Sequence, residues 1–303
     1  MRLETKGILL VLATALISGF SIWLNKLAIS GTSGIAFTAL KAVIVSALLI
    51  GTLILFSKFK ELKRISAKEW LGLFIVGLVG GSSAFLLFFQ GLAFTSAINA
   101  GFLHKTIFIF AGVFAFFLLK EKVERRLLLA GIAAFAALFL LFGMQISSFG
   151  IGDLMILSAA LLWGLEIVIA KRLLKRLDGT TVAFGRMFFG AILMLAFLAV
   201  TGQFQGIFAF DAPQIEWLAV TGALLFAYVM TFYNGLKFLD ASKAALLLLL
   251  AIPVTSILSL SNARPFGVLE ILATALLILG VAFAFFGLNG LKQFFSRITA
   301  WKH

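Results

Sequence analysis

Residues 7–26, GILLVLATALISGFSIWLNK, return 145 positions later as GDLMILSAALLWGLEIVIAK at 152–171. This offset matches Gly19 with Gly164 and Lys26 with Lys171, and further on it sets Lys41 against Arg186. The offset then becomes 147, pairing Glu69-Trp70 with Glu216-Trp217, and later 144, pairing Gln90-Gly91-Leu92 with Asn234-Gly235-Leu236. Polar positions recurring in phase are hard to obtain by chance from a chain rich in Leu, Ala and Phe. The sequence therefore divides into two copies of one unit, residues 1–146 and 147–303, the second closing on a short tail.

Composition says what the unit is for. With 62% hydrophobic residues, 12% charged and a mean hydropathy of +1.16, the chain carries more apolar surface than one soluble core of 303 residues could hide. Ten apolar runs cover residues 7–29, 35–57, 70–93, 97–119, 126–146, 152–173, 181–201, 215–237, 241–262 and 266–288, each near the ~20 residues a helix needs to cross ~30 Å of hydrocarbon. The first is too long and too lightly charged at its start to be a removed signal peptide. The expected fold is an all-α integral membrane protein of ten transmembrane helices. Five spans per unit is an odd number, so the second copy enters the membrane upside down. Inverted repeats around a central cavity are a hallmark of secondary transporters, whose substrate site lies near the midplane.

Loop charge sets the orientation. The net charge of +13 brings nucleic acid to mind, but the basic residues sit in short loops and no basic, aromatic-interleaved soluble segment is present. Placing the N-terminus in the cytoplasm gathers 20 of the 25 basic residues on that side, among them Lys58 to Lys68, Lys120 to Arg126 and Lys171 to Arg176. The opposite side holds only Arg264, so the positive-inside rule places both termini in the cytoplasm of a plasma-membrane, multi-pass protein. Lys26, Lys41, Lys105 and Arg186 fall inside spans.

Several features together carry a family resemblance: the ten-span layout, the duplicated glycine-bearing first helix ending in Lys26 and Lys171, the Lys41/Arg186 position, and the fourth-helix ending FFLLKEKV. The chain resembles the drug/metabolite transporter superfamily in its EamA-type branch. That resemblance implies two inverted five-helix halves around a central cavity, often exporting amino acids or other small metabolites. Two departures stand out. The fourth helix usually carries a proline where this chain has an unbroken HKTIFIF, while the second copy keeps one at Pro253; and the second copy has Arg264-Pro265 opposite Lys120-Glu121.

Candidate site residues are the polar groups stranded in apolar helices. His104 and Lys105 stand side by side in the fourth span, where a charge costs ~3 kcal/mol on insertion scales and so faces a bundle interior or a wet cavity. Glu166 is the only carboxylate deep within a span, and its repeat counterpart is the uncharged Ser21. It is the candidate coupling site, binding a proton or a substrate ammonium in one access state, with a salt bridge to Lys105 or Arg186 as the structural alternative. Trp163, halfway through its span, is a cavity candidate, and Gln90 and Asn234 occupy matching positions suited to ligand binding or interhelical hydrogen bonding. Lys41 and Arg186 lie shallow enough to snorkel to headgroups. Trp70 and Trp217 fit an interfacial belt.

Other chemistries fare poorly. The chain has no cysteine and two histidines, one of them the last residue, which removes disulfide, thiol and Cys-bound metal chemistry and disfavours a histidine metal site. Gly150-Ile151-Gly152-Asp153 matches an intramembrane aspartyl protease signature, but the second intramembrane aspartate is missing, and Asp153 suits a helix cap. Neither HExxH nor a GxxxxGK[ST] loop occurs. Gly77 to Gly81 fits GxxxG, which in a polytopic bundle means close helix packing. The expectation is a non-enzymatic transporter without cofactor, whose partners are a small-molecule substrate, the lipid bilayer and protons. A membrane-embedded enzyme and a passive channel are the alternatives.

Overall fold

The computed structural model describes residues 3–28, 33–143, 149–259 and 267–300. Arg264 and Pro265 lie outside the described residues, as does the side chain of Lys26. Ten helices are long and apolar enough to span a bilayer: α1 (Leu3–Asn25), α2 (Gly34–Leu55), α3 (Ala67–Leu92), α4 (Ile98–Leu119), α5 (Arg125–Phe142), α6 (Ile151–Leu173), α7 (Gly179–Val200), α8 (Ala212–Leu236), α9 (Ala241–Leu258) and α10 (Val268–Leu288). The fifth ends at Phe142, short of the expected residue 146, where Gly143 leaves helical geometry at φ 55° and ψ 127°.

The packing repeats as the sequence does. Helix α1 packs on α8 and α9 as α6 packs on α3 and α4, and α2 meets α8 as α7 meets α3. Three further pairs, α2 with α7, α4 with α9 and α5 with α10, join each helix to its own counterpart. An approximate two-fold relation between the halves generates this contact pattern. The duplicated glycines are its seams. A Cβ on Gly19 would lie 2.5 Å from Val254 of α9, and one on Gly164 would lie 2.6 Å from Phe110 of α4, so each position needs a bare backbone to let the helices touch.

Three spans are irregular. Residues Gly77–Ser83 of α3 form a π-helical stretch, and Gly81 packs backbone to backbone against Gly190 of α7, so this GxxxG is a helix-packing seam within the chain. Helix α9 narrows to a 3₁₀ turn at Leu248–Leu250, just ahead of Pro253, which removes an N–H and crowds the carbonyl four residues back. The expected unbroken fourth helix is also interrupted. Residues 97–105 and 107–114 are separate helices that meet at Thr106, whose ψ is −3° and whose hydroxyl donates to the Leu103 carbonyl at 2.6 Å. A threonine back-bond does in α4 what the proline does in α9.

Side chains fix the ends. Ser66 and Glu69 form a reciprocal capping box at the start of α3. Asp153 accepts from the Gly150 N–H at 2.8 Å and from the Thr95 hydroxyl, and so ties the start of α6 to the α3–α4 connection. Glu121 reaches across to α9 and accepts from the N–H groups of Ala241 and Ser242 at 2.7 and 3.2 Å and from the Ser242 hydroxyl at 2.7 Å.

Candidate functional site

Trp163 and Glu166 are three residues apart on α6 and therefore share a face. That face meets the π-helical part of α3 at Gly80, where a Cβ would fall 2.2 Å from Glu166 Cγ. Only glycine admits the carboxylate here. The π stretch displaces carbonyls from the regular ladder. The Gly80 carbonyl accepts from Trp163 Nε1 and from Arg186 Nη2 of α7, both at 3.1 Å.

Glu166 is 3% exposed and Arg186 6%. Arg186 Nε stands 3.9 Å from Glu166 Oε2, too far for a hydrogen bond but close enough for charge attraction, and this buried N–H has no hydrogen-bond partner among the described residues. The other carboxylate oxygen accepts from the Tyr233 hydroxyl of α8 at 2.6 Å. The guanidinium also lies over the Phe85 ring, 5.6 Å from its centroid. One carboxylate thus draws α3, α6, α7 and α8 together.

An aromatic cluster adjoins the pair. The Trp163 ring lies 5.2 Å from Phe85, 5.6 Å from Phe88 and 5.1 Å from His104, and Phe88 and His104 are themselves 5.1 Å apart. His104 is therefore packed among rings, two residues from the Thr106 break. Lys105 is partly buried and makes no ion pair or side-chain hydrogen bond among the described residues.

The structure brings Glu166, Trp163 and His104 into one continuous group and leaves Lys105, Gln90 and Asn234 outside it. Asn234 donates to the Met230 carbonyl of its own helix at 2.8 Å and packs against Gly179, an interhelical seam. Gln90 is half-buried near the end of α3, without a side-chain hydrogen bond among the described residues. Arg186 does not snorkel as its shallow sequence depth suggested, because the Gly80 carbonyl and Glu166 hold its head inside the protein. Sequence reasoning missed Tyr233. The available signal was scarcity: the chain has two tyrosines against 35 phenylalanines, and both fall in α8, where a hydroxyl needs a partner.

The arrangement sets a buried carboxylate, which accepts hydrogen bonds, beside a buried guanidinium with one N–H donor unpartnered among the described residues.

Comparison with known proteins agrees with this architecture. A crystal structure with 18% sequence identity superposes with a TM-score of 0.77 over 93% of this chain and 96% of the other. The chain is 27% identical over 233 residues to the uncharacterized transporter YyaM of Bacillus subtilis, covering 73% of this chain and 74% of the relative. It is 27% identical over 266 residues to YoaV of the same organism, covering 83% and 86%. The riboflavin transporter ImpX of Fusobacterium nucleatum is 27% identical over 250 residues, covering 75% and 81%. The EamA-like transporter family matches twice, over residues 5–143 and again over 150–286. With each match spanning one five-helix half, the chain belongs to the EamA-like transporter family, as a ten-span integral membrane protein.

Proposed function

We propose that the chain is a secondary active exporter of small metabolites, amino acids foremost, working by alternating access in the plasma membrane with both termini cytoplasmic and without enzymatic activity. The observation that carries this reading is the buried Glu166–Arg186 pair with its unused guanidinium N–H. A zwitterionic head group has the complementary charges, its ammonium for Glu166 and its carboxylate for Arg186. Without substrate the opposite charges of the two residues offset each other, with Tyr233 donating to Glu166 and the Gly80 carbonyl accepting from Arg186, so substrate replaces an internal partner and no bare charge is left behind. A proton on Glu166 serves the same end when substrate is absent, which makes Glu166 the coupling group. The loop charges support the orientation, and the direction follows the habit of the branch. The breaks in α4 and α9 supply the discontinuous helices from which such transporters build their sites.

A second reading concerns the substrate. The rings of Phe85, Phe88, His104 and Trp163 would suit a planar heterocycle, and one relative is named a riboflavin transporter. Proteoliposome counterflow with labelled amino acids and with riboflavin separates the two substrate classes. Under an imposed pH gradient the wild type accumulates substrate above its equilibrium level, whereas Glu166→Gln binds substrate without responding to the gradient. Gradient-driven accumulation by the variant removes Glu166 from the coupling role. Failure of the wild type ever to exceed equilibration overturns active transport.

A further inference from the structure

A groove runs along the outside of the bundle between α3, α4 and α6, at the end where the basic loops gather. Its mouth is a cleft of about 470 Å³ lined by Lys68, Glu69, Gly72, Arg172, Lys175 and Arg176, with Ile169 and Leu173 below. Ile169 and Arg172 also line an adjoining recess of about 230 Å³, whose other walls are Ile75, Leu118, Leu119 and Val168. The two are therefore one continuous feature, cationic at the mouth and aliphatic toward the bilayer interior. From Lys68 to Ile75 along α3 the groove descends about 10 Å at helical rise.

The charge at the mouth is unspent. Lys68, Arg172, Lys175 and Arg176 make no ion pair or side-chain hydrogen bond among the described residues, and all four are exposed. The one acid, Glu69, is hydrogen-bonded by the N–H and hydroxyl of Ser66 at 2.9 and 2.7 Å and is attracted more weakly by the charge of Arg176, which leaves the mouth strongly cationic. Four exposed cations against one acid, above an apolar slot at the end where the basic loops gather, have the complementary shape and charge of one class of molecule.

We infer that this groove binds an anionic phospholipid, its phosphate at Arg172, Lys175 and Arg176 and an acyl chain along Ile75, Leu118, Val168 and Ile169. Headgroup attraction is worth about fivefold in affinity per basic residue near the surface, so the cluster selects anionic over zwitterionic lipid. A lipid here would brace α6, the helix that carries Glu166, against α3, which carries Gly80.

The test compares phosphatidylglycerol with phosphatidylcholine added to the purified full-length protein, read as the shift in unfolding temperature. Phosphatidylglycerol raises it and phosphatidylcholine does not. Lys175→Gln/Arg176→Gln weakens the phosphatidylglycerol effect about 25-fold in apparent affinity, whereas Lys60→Gln/Lys63→Gln, an equal charge change outside the groove, leaves it within about twofold. Equal loss in both pairs means diffuse surface charge and overturns the site. An equal shift from inorganic phosphate means a free-anion site and overturns the lipid. Native mass spectrometry of the unaltered protein needs no variant: one phosphatidylglycerol retained per chain is expected, and none retained overturns the inference.

Discussion

The two halves solve the same electrostatic problem with different chemistry. In the second half, Arg186 of α7 faces a carboxylate on α6, with Tyr233 completing the group. In the first half, Lys41 of α2 stands at the matching position and donates to the neutral Oδ1 of Asn25 on α1 at 2.8 Å, with Phe37 5.2 Å from its ammonium. Asn25 is held in turn by the carbonyl and hydroxyl of Ser21, the counterpart of Glu166, at 2.7 and 3.0 Å. Each cation also has an aromatic face, Phe37 for Lys41 and Phe85 for Arg186. The difference lies in the acceptor: an amide and a hydroxyl cannot gain or lose charge across working pH, whereas a carboxylate can. Duplication therefore supplied two cation sites, and of the two only the second sets a carboxylate beside its cation.

Removing the cation breaks this comparison most sharply. Arg186→Met strands Glu166 in a buried site, and losing one partner of a buried pair costs about 3–5 kcal/mol. The cost should fall when Glu166→Gln is added, because the stranded charge is gone; a double-mutant cycle on unfolding in detergent measures this coupling. Lys41→Met should be neutral or mildly stabilising, since it removes a buried charge whose acceptor is an ordinary amide. If Lys41→Met costs as much as Arg186→Met, the halves are electrostatically alike and the asymmetry carries no mechanism.

Tyr233→Phe sharpens the same contrast at smaller cost. It deletes one hydroxyl and leaves a carboxylate oxygen without its donor, which costs about 1.5–3 kcal/mol for a hydrogen bond to a charged group. The transport readout should move with it: the dependence of accumulation on the imposed pH gradient changes, because the hydroxyl that positions the carboxylate is gone. An unchanged pH profile would reduce Tyr233 to packing.

What could be read from the sequence follows from what each signal encodes. Apolar run length points to the number of spans and polar residues recurring in phase to a duplicated unit, so the ten spans were legible in the sequence, whereas which helix packs on which comes from the structure alone. Depth along the membrane normal was visible too, but a depth does not say which neighbour faces a side chain. Glu166 could thus be named with either Lys105 or Arg186 as its partner, and only packing around Gly80 selects Arg186. The break at Thr106 was hidden because threonine is an ordinary helix residue until its hydroxyl finds a carbonyl. Tyr233 was hidden by distance, 67 residues from the acid it bonds.

The smallest expected effect concerns the clasp between the end of α4 and the start of α9, where acids in the first half meet an amino-terminal helix end in the second. Glu121 caps α9 with both oxygens, so Glu121→Ala costs about 1 kcal/mol, the usual worth of a cap. Glu124, beside it, lies 3.2 Å from Lys243 and 3.3 Å from Arg126. The hydrogen bond and charge of Lys243 hold its carboxyl below the ordinary glutamate value, with Arg126 adding less. A carboxyl depressed in the folded state contributes stability that is full above its unfolded value of about 4.3 and is lost as pH falls toward its lower folded value. The side chain is 41% exposed, so screening keeps this below about 1 kcal/mol. Glu124→Gln should therefore lower the unfolding temperature slightly at neutral pH and not at all once the pH is below the folded-state value, with added salt shrinking the neutral-pH difference. A loss that persists unchanged in acid would mean that Glu124 acts through packing, leaving Glu121 as the acid that joins the two halves at this end.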